Sequence, residues 1–131
     1  MRLPGRAAHE LGAAVVDFVL IMVLLVPLVL GIAQVALVLH VRNTAAAAAS
    51  EGARAAAPLG ATPADGAART RSMIRDALAD RYADDVTATR TTIGGVPGTE
   101  VVVRARVPAL GLFGPSVPVT VRGHAVSDVA P

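Results

Sequence analysis

From Phe18 to Leu39 the chain carries no charged residue. A run of that length makes about 33 Å of helix at roughly 1.5 Å per residue, which matches a hydrocarbon core of about 30 Å. The feature predicts one membrane-crossing helix, with the rest of the chain arranged on either side of it. Pro27 and Gly31 lie inside the run. Both are tolerated in membrane helices, where neighbours or waters re-satisfy freed backbone groups. Pro27 predicts a local kink, read either as neutral or as serving packing.

One carboxylate, Asp17, stands at the mouth of this helix, and Gly12 stands five residues before it. The reading places Gly12 just ahead of the helix and Asp17 one turn inside. A charge at the bilayer centre costs about 2.5–3.5 kcal/mol on insertion scales, and less near an interface. An acid held there points to function by default. The leader carries Arg2 and Arg6, which orient the N-terminus to the cytoplasm by the positive-inside rule; Arg42 on the far flank weakens that bias.

The chain divides into a polar leader at 1–12, a membrane helix with its extension at 13–57, and a small exterior domain at 58–131. Residues 43–57 are rich in alanine, which favours helix. They are expected to extend the membrane helix as one rod ending before Pro58. Small faces of this kind suit close packing against other helices; a generic alanine-rich stalk is the plainer alternative.

Pro58, Gly60, Pro63 and Gly66 punctuate the chain after the rod. A second helix is expected with Thr62 as N-cap, Pro63 in its first position and Asp65 in its first turn. Ile74, Leu78 and Tyr82 recur at helical spacing opposite Arg71, Arg75, Asp76, Asp80 and Arg81. The pattern predicts an amphipathic helix of about five turns, ending near Ala83. Three strand signals follow. Val86–Thr92 is the first, and Gly94-Gly95 with Pro97-Gly98 forms the turn. In Glu100–Val107, Val101, Val103, Ala105 and Val107 share one face while Val102, Arg104 and Arg106 take the other. After a Gly/Pro-rich loop, Leu110–Pro118, the third strand is Val119–Val126. The expected fold class is α+β, with a small antiparallel sheet that has one polar face and the amphipathic helix packing over the sheet.

Chemistry-bearing constellations are sparse. There is no cysteine, so disulfide frameworks and thiolate metal sites are excluded. His9, His40 and His124 are scattered without metal-ligand spacing. No metal, cofactor or small-molecule substrate is expected, and no catalytic residue is identified. Aromatic residues make up only 2% of the chain, and the Arg104/Arg106 stripe lacks partners for base stacking. With a formal charge of +2, nucleic-acid binding is not expected either. Asp84-Asp85 reads as a solvated turn at a helix end. The apolar run is about twice the 7–15 residues of a secretory h-region. That argues against a cleaved signal, though a plain uncleaved anchor fits the same residues.

Residues 8–57 resemble the TadE-like proteins, minor pilin-like (pseudopilin) components of bacterial tight-adherence, Flp-type pilus systems. The resemblance rests on an ordered set: Gly12, the small residues Ala13-Ala14-Val15-Val16, Asp17-Phe18, Pro27, Gly31, Asn43, and Glu51-Gly52-Ala53-Arg54-Ala55. Asp17 stands where the family usually has Glu, and Leu11 where a basic residue often precedes the glycine. The resemblance implies cleavage between Gly12 and Ala13 by a prepilin peptidase, whose catalytic carboxylates approach a backbone bare of side chain. It implies that Asp17 pairs with the freed amine of a neighbouring pilin-like subunit. The implied partners are membrane lipid, the peptidase and other pilin-like or pilus assembly proteins. The role is structural rather than enzymatic. The competing reading is an unprocessed single-pass anchor carrying an extracytoplasmic ligand- or envelope-binding domain.

Overall fold

The computed structural model describes residues 5–111 and 114–128, with side chains from residue 8 onward. Arg2, the side chain of Arg6, and residues 112–113 within the 110–118 loop lie outside the described residues. Helix α1 runs from Gly5 to Ala55, 51 residues, and passes unbroken through Pro27. Helix α2 covers Pro63–Ala77 and is followed by a 3₁₀ turn at Asp80–Ala83. Strands β1 (Asp85–Ile93), β2 (Val96–Val107) and β3 (Val117–Val126) form one antiparallel sheet in that order. The α+β class expected from the sequence is the class observed.

α1 has two unlike halves. In the lower half the large apolar side chains point outward: Phe18 is 61% exposed and Leu24 77%. None of its most apolar stretch is buried within the fold. In the upper half Val41, Ala45, Ala48, Ala49 and Ala53 are buried, as is Ala56 just past its end. These residues recur at i, i+3, i+4 spacing, the stripe of one helix face. Against that stripe lie β3 and β2 on one side and α2 on the other. The alanine-rich rod is therefore the spine of the C-terminal fold, and its small face is covered by the chain's own sheet and second helix.

Strand and helix run side by side. The β2 end is held low, where Gln34 bonds the loop after it, and the β3 end is held high, where the Asp128 amide donates to Ala57 O at 2.8 Å. From Gln34 to Ala55 the helix rises about 32 Å at roughly 1.5 Å per residue. The length of β2 is about 36 Å at roughly 3.3 Å per residue, so one matches the other.

Three sequence expectations need correction. Gly12 does not precede the helix: α1 already starts at Gly5, because residues 6–11 contain helix formers and no breaker. α2 ends at Ala77 instead of continuing to Ala83. Leu78 turns extended (φ −132°, ψ −169°) while its amide still donates to Ile74 O at 2.7 Å, and the 3₁₀ turn then carries Tyr82 and Ala83 into the core. The 3₁₀ turn packs against α2 and β2. The hairpin turn is Gly94-Gly95 alone. Both have positive φ (57° and 86°), as a two-residue type I′ turn requires. Pro97 and Gly98 pair with Thr92 and Thr91 inside the sheet. Proline is accepted there because β3 pairing starts only at Gly98, and Pro97 offers just its carbonyl, to the Ser127 amide at 2.9 Å.

Alternation in β2 holds, with Val101, Val103, Ala105 and Val107 buried and Arg104 and Arg106 exposed. Val102, assigned to the polar face, is nonetheless buried; Thr87 and Arg122 flank it in register. The core is closed by Ile74 and Tyr82. Full burial of a side chain such as Ile74 contributes about 1.5–3 kcal/mol.

Candidate functional site

Gly12, Ala13, Asp17 and Phe18 all lie on α1 and are all exposed. A Cβ added at Gly12 would meet nothing within 4 Å. The glycine is therefore not required by the packing of its own chain, and it weakens the helix there by about 1 kcal/mol relative to alanine. Asp17 has helical neighbours at Ala13, Ala14, Leu20 and Ile21, none of which can pair with a carboxylate. No hydrogen bond or ion pair reaches it among the described residues. Pro27 and Gly31 line an open apolar groove of about 560 Å³ on the exposed helix, and a Cβ at Gly31 would also meet nothing.

The Glu51-Gly52-Ala53-Arg54 segment behaves differently. Ala53 is buried, and Gly52 sits where α2 crosses α1. A Cβ on Gly52 would fall 2.6 Å from Gly66 O and closer still to the Thr70 hydroxyl. A Cβ on Gly66 would fall 2.7 Å from Gly52 O and 3.0 Å from the Ala56 methyl. Two glycines thus let the backbones touch. Thr70, fully buried, lies with its hydroxyl 2.9 Å from Gly66 O and 3.2 Å from Ala48 O, which satisfies the one polar group at the crossing. Glu51 and Arg54 point outward and pair with each other at 3.4 Å. Such an exposed pair contributes about 0–1 kcal/mol. The sequence reading took Gly66 as punctuation and missed Thr70 and Gly123. Gly123, opposite the Ala49 backbone, is a third position where a Cβ has no room. The i, i+3, i+4 stripe of small residues was the available signal, hidden because alanines also fill much of the remaining surface.

Elsewhere α2 is capped as expected. The Asp65 amide donates to the Thr62 hydroxyl oxygen at 3.3 Å, and the Thr62 amide donates to the Asp65 carboxylate at 2.8 Å. The hydrogen bonds from the Thr62 side chain, then from its backbone, hold the Asp65 carboxyl below its ordinary value. Arg71 donates to Val86 O at 2.7 Å and ties α2 to β1. On the wet face of the sheet His124 Nε2 and Glu100 Oε2 lie 2.6 Å apart. No group of three metal-ligating side chains occurs among the described residues.

Residues 12–54 match the model of the TadE-like protein family. The match begins at Gly12 and ends at Arg54. It covers about a third of the chain, all of it on α1, and agrees with the resemblance drawn from the motifs. No curated protein and no solved structure matches the chain.

Proposed function

We propose that this chain is a membrane-anchored minor pilin-like protein of the TadE type, contributing to assembly of a pilus or related secretion apparatus. The role is structural. α1 crosses the membrane with its N-terminus in the cytoplasm, and the sheet and α2 stand outside. A prepilin peptidase hydrolyses the Gly12–Ala13 peptide bond. The observation that carries this reading is that Gly12 faces open space and Asp17 is exposed with no polar partner among the described residues, both at the start of the family match, whereas Gly52 and Ala53 at its end are held by packing. Residues with no internal partner in an apolar helix point to an external one.

Cleavage also changes the setting of Asp17. In the uncut chain it lies deep inside a helix that starts at Gly5. After cleavage the helix starts at Ala13, and Asp17 lies about 6 Å along the axis from the new terminus. The helix dipole and the freed amine there both favour a negative charge. The same carboxylate is then placed to pair with the amine of a neighbouring subunit, which fixes the axial register between the two.

N-terminal sequencing and intact mass of the protein recovered from membranes of its host test this reading. A chain starting at Ala13 is expected. A chain starting at Met1 overturns processing and favours the plain single-pass anchor.

A further inference from the structure

Gln34 is the one polar side chain between Asp17 and His40. Both ends of its amide bond the loop between β2 and β3: Nε2 donates to Pro108 O at 3.2 Å, and Oε1 accepts from the Leu110 amide at 2.8 Å. The loop is thereby fastened to α1 at a level where the helix is still apolar on its other faces. Above Gln34, toward the domain, Val35 is 60% exposed and Leu39 52%. At roughly 1.5 Å per residue, the clasp sits about 7 Å below the end of that apolar surface. No charged residue occurs from Val107 to Val121, and Leu110 is exposed. Between helix and loop lies an apolar cleft of about 600 Å³, walled by Val26, Pro27 and Leu30 on one side and by Leu110 and Pro115 on the other.

We propose that the described ends of the β2–β3 loop, residues 108–111 and 114–116, form a second membrane contact at the headgroup–acyl boundary of the leaflet on the domain's side, with lipid acyl chains filling the cleft. The inference rests on α1 being a membrane span. The occupant is lipid because one wall of the cleft is the span itself, so the apolar surface of the loop continues a surface that lipid already covers. The depth of the clasp agrees with the roughly 5–10 Å to which interfacial elements bury their apolar faces; the cleft below it reaches Val26, about 20 Å down the span, in the acyl region. Irregular backbone at that depth needs its polar groups satisfied by protein. Gln34 does this for one carbonyl and one amide of the loop. The exterior domain then rests on the bilayer at its base and does not swing freely from the helix.

The chain has no cysteine, so single cysteines can be labelled without a background. Full-length Leu110→Cys, Val23→Cys and Thr92→Cys proteins are labelled with an environment-sensitive nitrobenzoxadiazole dye. They are then placed in vesicles of phosphatidylethanolamine and phosphatidylglycerol. Quenching is read with aqueous iodide and with lipid bearing a nitroxide near the headgroup. Iodide quenching several-fold weaker at Leu110 than at Thr92, with strong quenching by the shallow nitroxide, is the expected result. Iodide quenching at Leu110 equal to that at Thr92, while Val23 stays protected, overturns the inference and leaves the span intact. Protection of Leu110 from both quenchers, lost on dilution with lipid, overturns it in favour of a second copy of the chain. Iodide access at Val23 removes the span, and the inference with it.

Discussion

Gly12 and Gly52 stand on one helix and in one family match, yet they do opposite work. Gly52 is where it is because a second backbone passes against it; a Cβ there would meet Gly66 O at 2.6 Å. Gly12 faces open space, with nothing within 4 Å. The same residue type is demanded by the chain's own packing at one end of α1 and not at the other, where the proposed peptidase would require it. Motif residues therefore divide by what surrounds them. Those met by their own chain explain the fold, and on the proposed reading those that face open space are the ones another molecule uses.

The largest effect that sharpens this contrast is expected at Gly123, whose added Cβ would press on the Ala49 backbone. Gly123→Ala should destabilise the helix–sheet packing by about 3 kcal/mol, at the top of the usual overpacking range. Gly52→Ala should cost about 2 kcal/mol by the same mechanism. Both are read from thermal unfolding of the full chain in detergent, and a wild-type melting curve for either would remove the close crossing. At the other end, Asp17→Asn should leave insertion and melting unchanged but weaken co-purification of neighbouring subunits. Asp17→Glu should be tolerated. Undiminished co-purification of the Asn variant would count against the pairing role.

Smaller effects are expected from single polar contacts. Gln34→Ala unpairs Pro108 O and the Leu110 amide and should cost about 1 kcal/mol. Faster hydrogen exchange at the Leu110 amide, with β1 unaffected, is the readout. The smallest concerns Asp65. Its carboxyl is held below the ordinary 3.8 in the folded chain, so its contribution is present above that value and is lost as pH falls through the lower folded one. Amides at the start of α2 should then exchange faster under strongly acidic conditions, while those near Ile74 stay protected. Uniform exchange along α2 would show that the cap acts on the whole helix.

Much of this was legible in the residues. The uncharged run of Phe18–Leu39, the Thr62-Pro63-Asp65 cap and the valine alternation of β2 each express a local rule that the fold obeys. What was hidden depended on distance in sequence. That Gly66 would lie on Gly52, or Gly123 on Ala49, follows only once the sheet is laid along the helix. The bend at Leu78 comes from the need to bring Tyr82 back under the sheet, a demand no helical repeat encodes. The start of α1 at Gly5 was hidden for another reason: Gly12 reads as a boundary only when its neighbours are ignored. Of the candidate site, Gly12 and Asp17 were visible as a pattern. The missing internal partner, which gives the pattern its meaning, required coordinates.

On the proposed reading, Gly12 serves another protein and Gly52 serves this one. The most direct test is intact mass and melting of Gly12→Leu and Gly52→Ala proteins recovered from membranes of the host. Gly12→Leu should keep the full uncut mass with unaltered melting of the C-terminal fold, while Gly52→Ala should be cut at Ala13 and melt lower. A Gly12→Leu protein that is still cut, or that melts like Gly52→Ala, would contradict it.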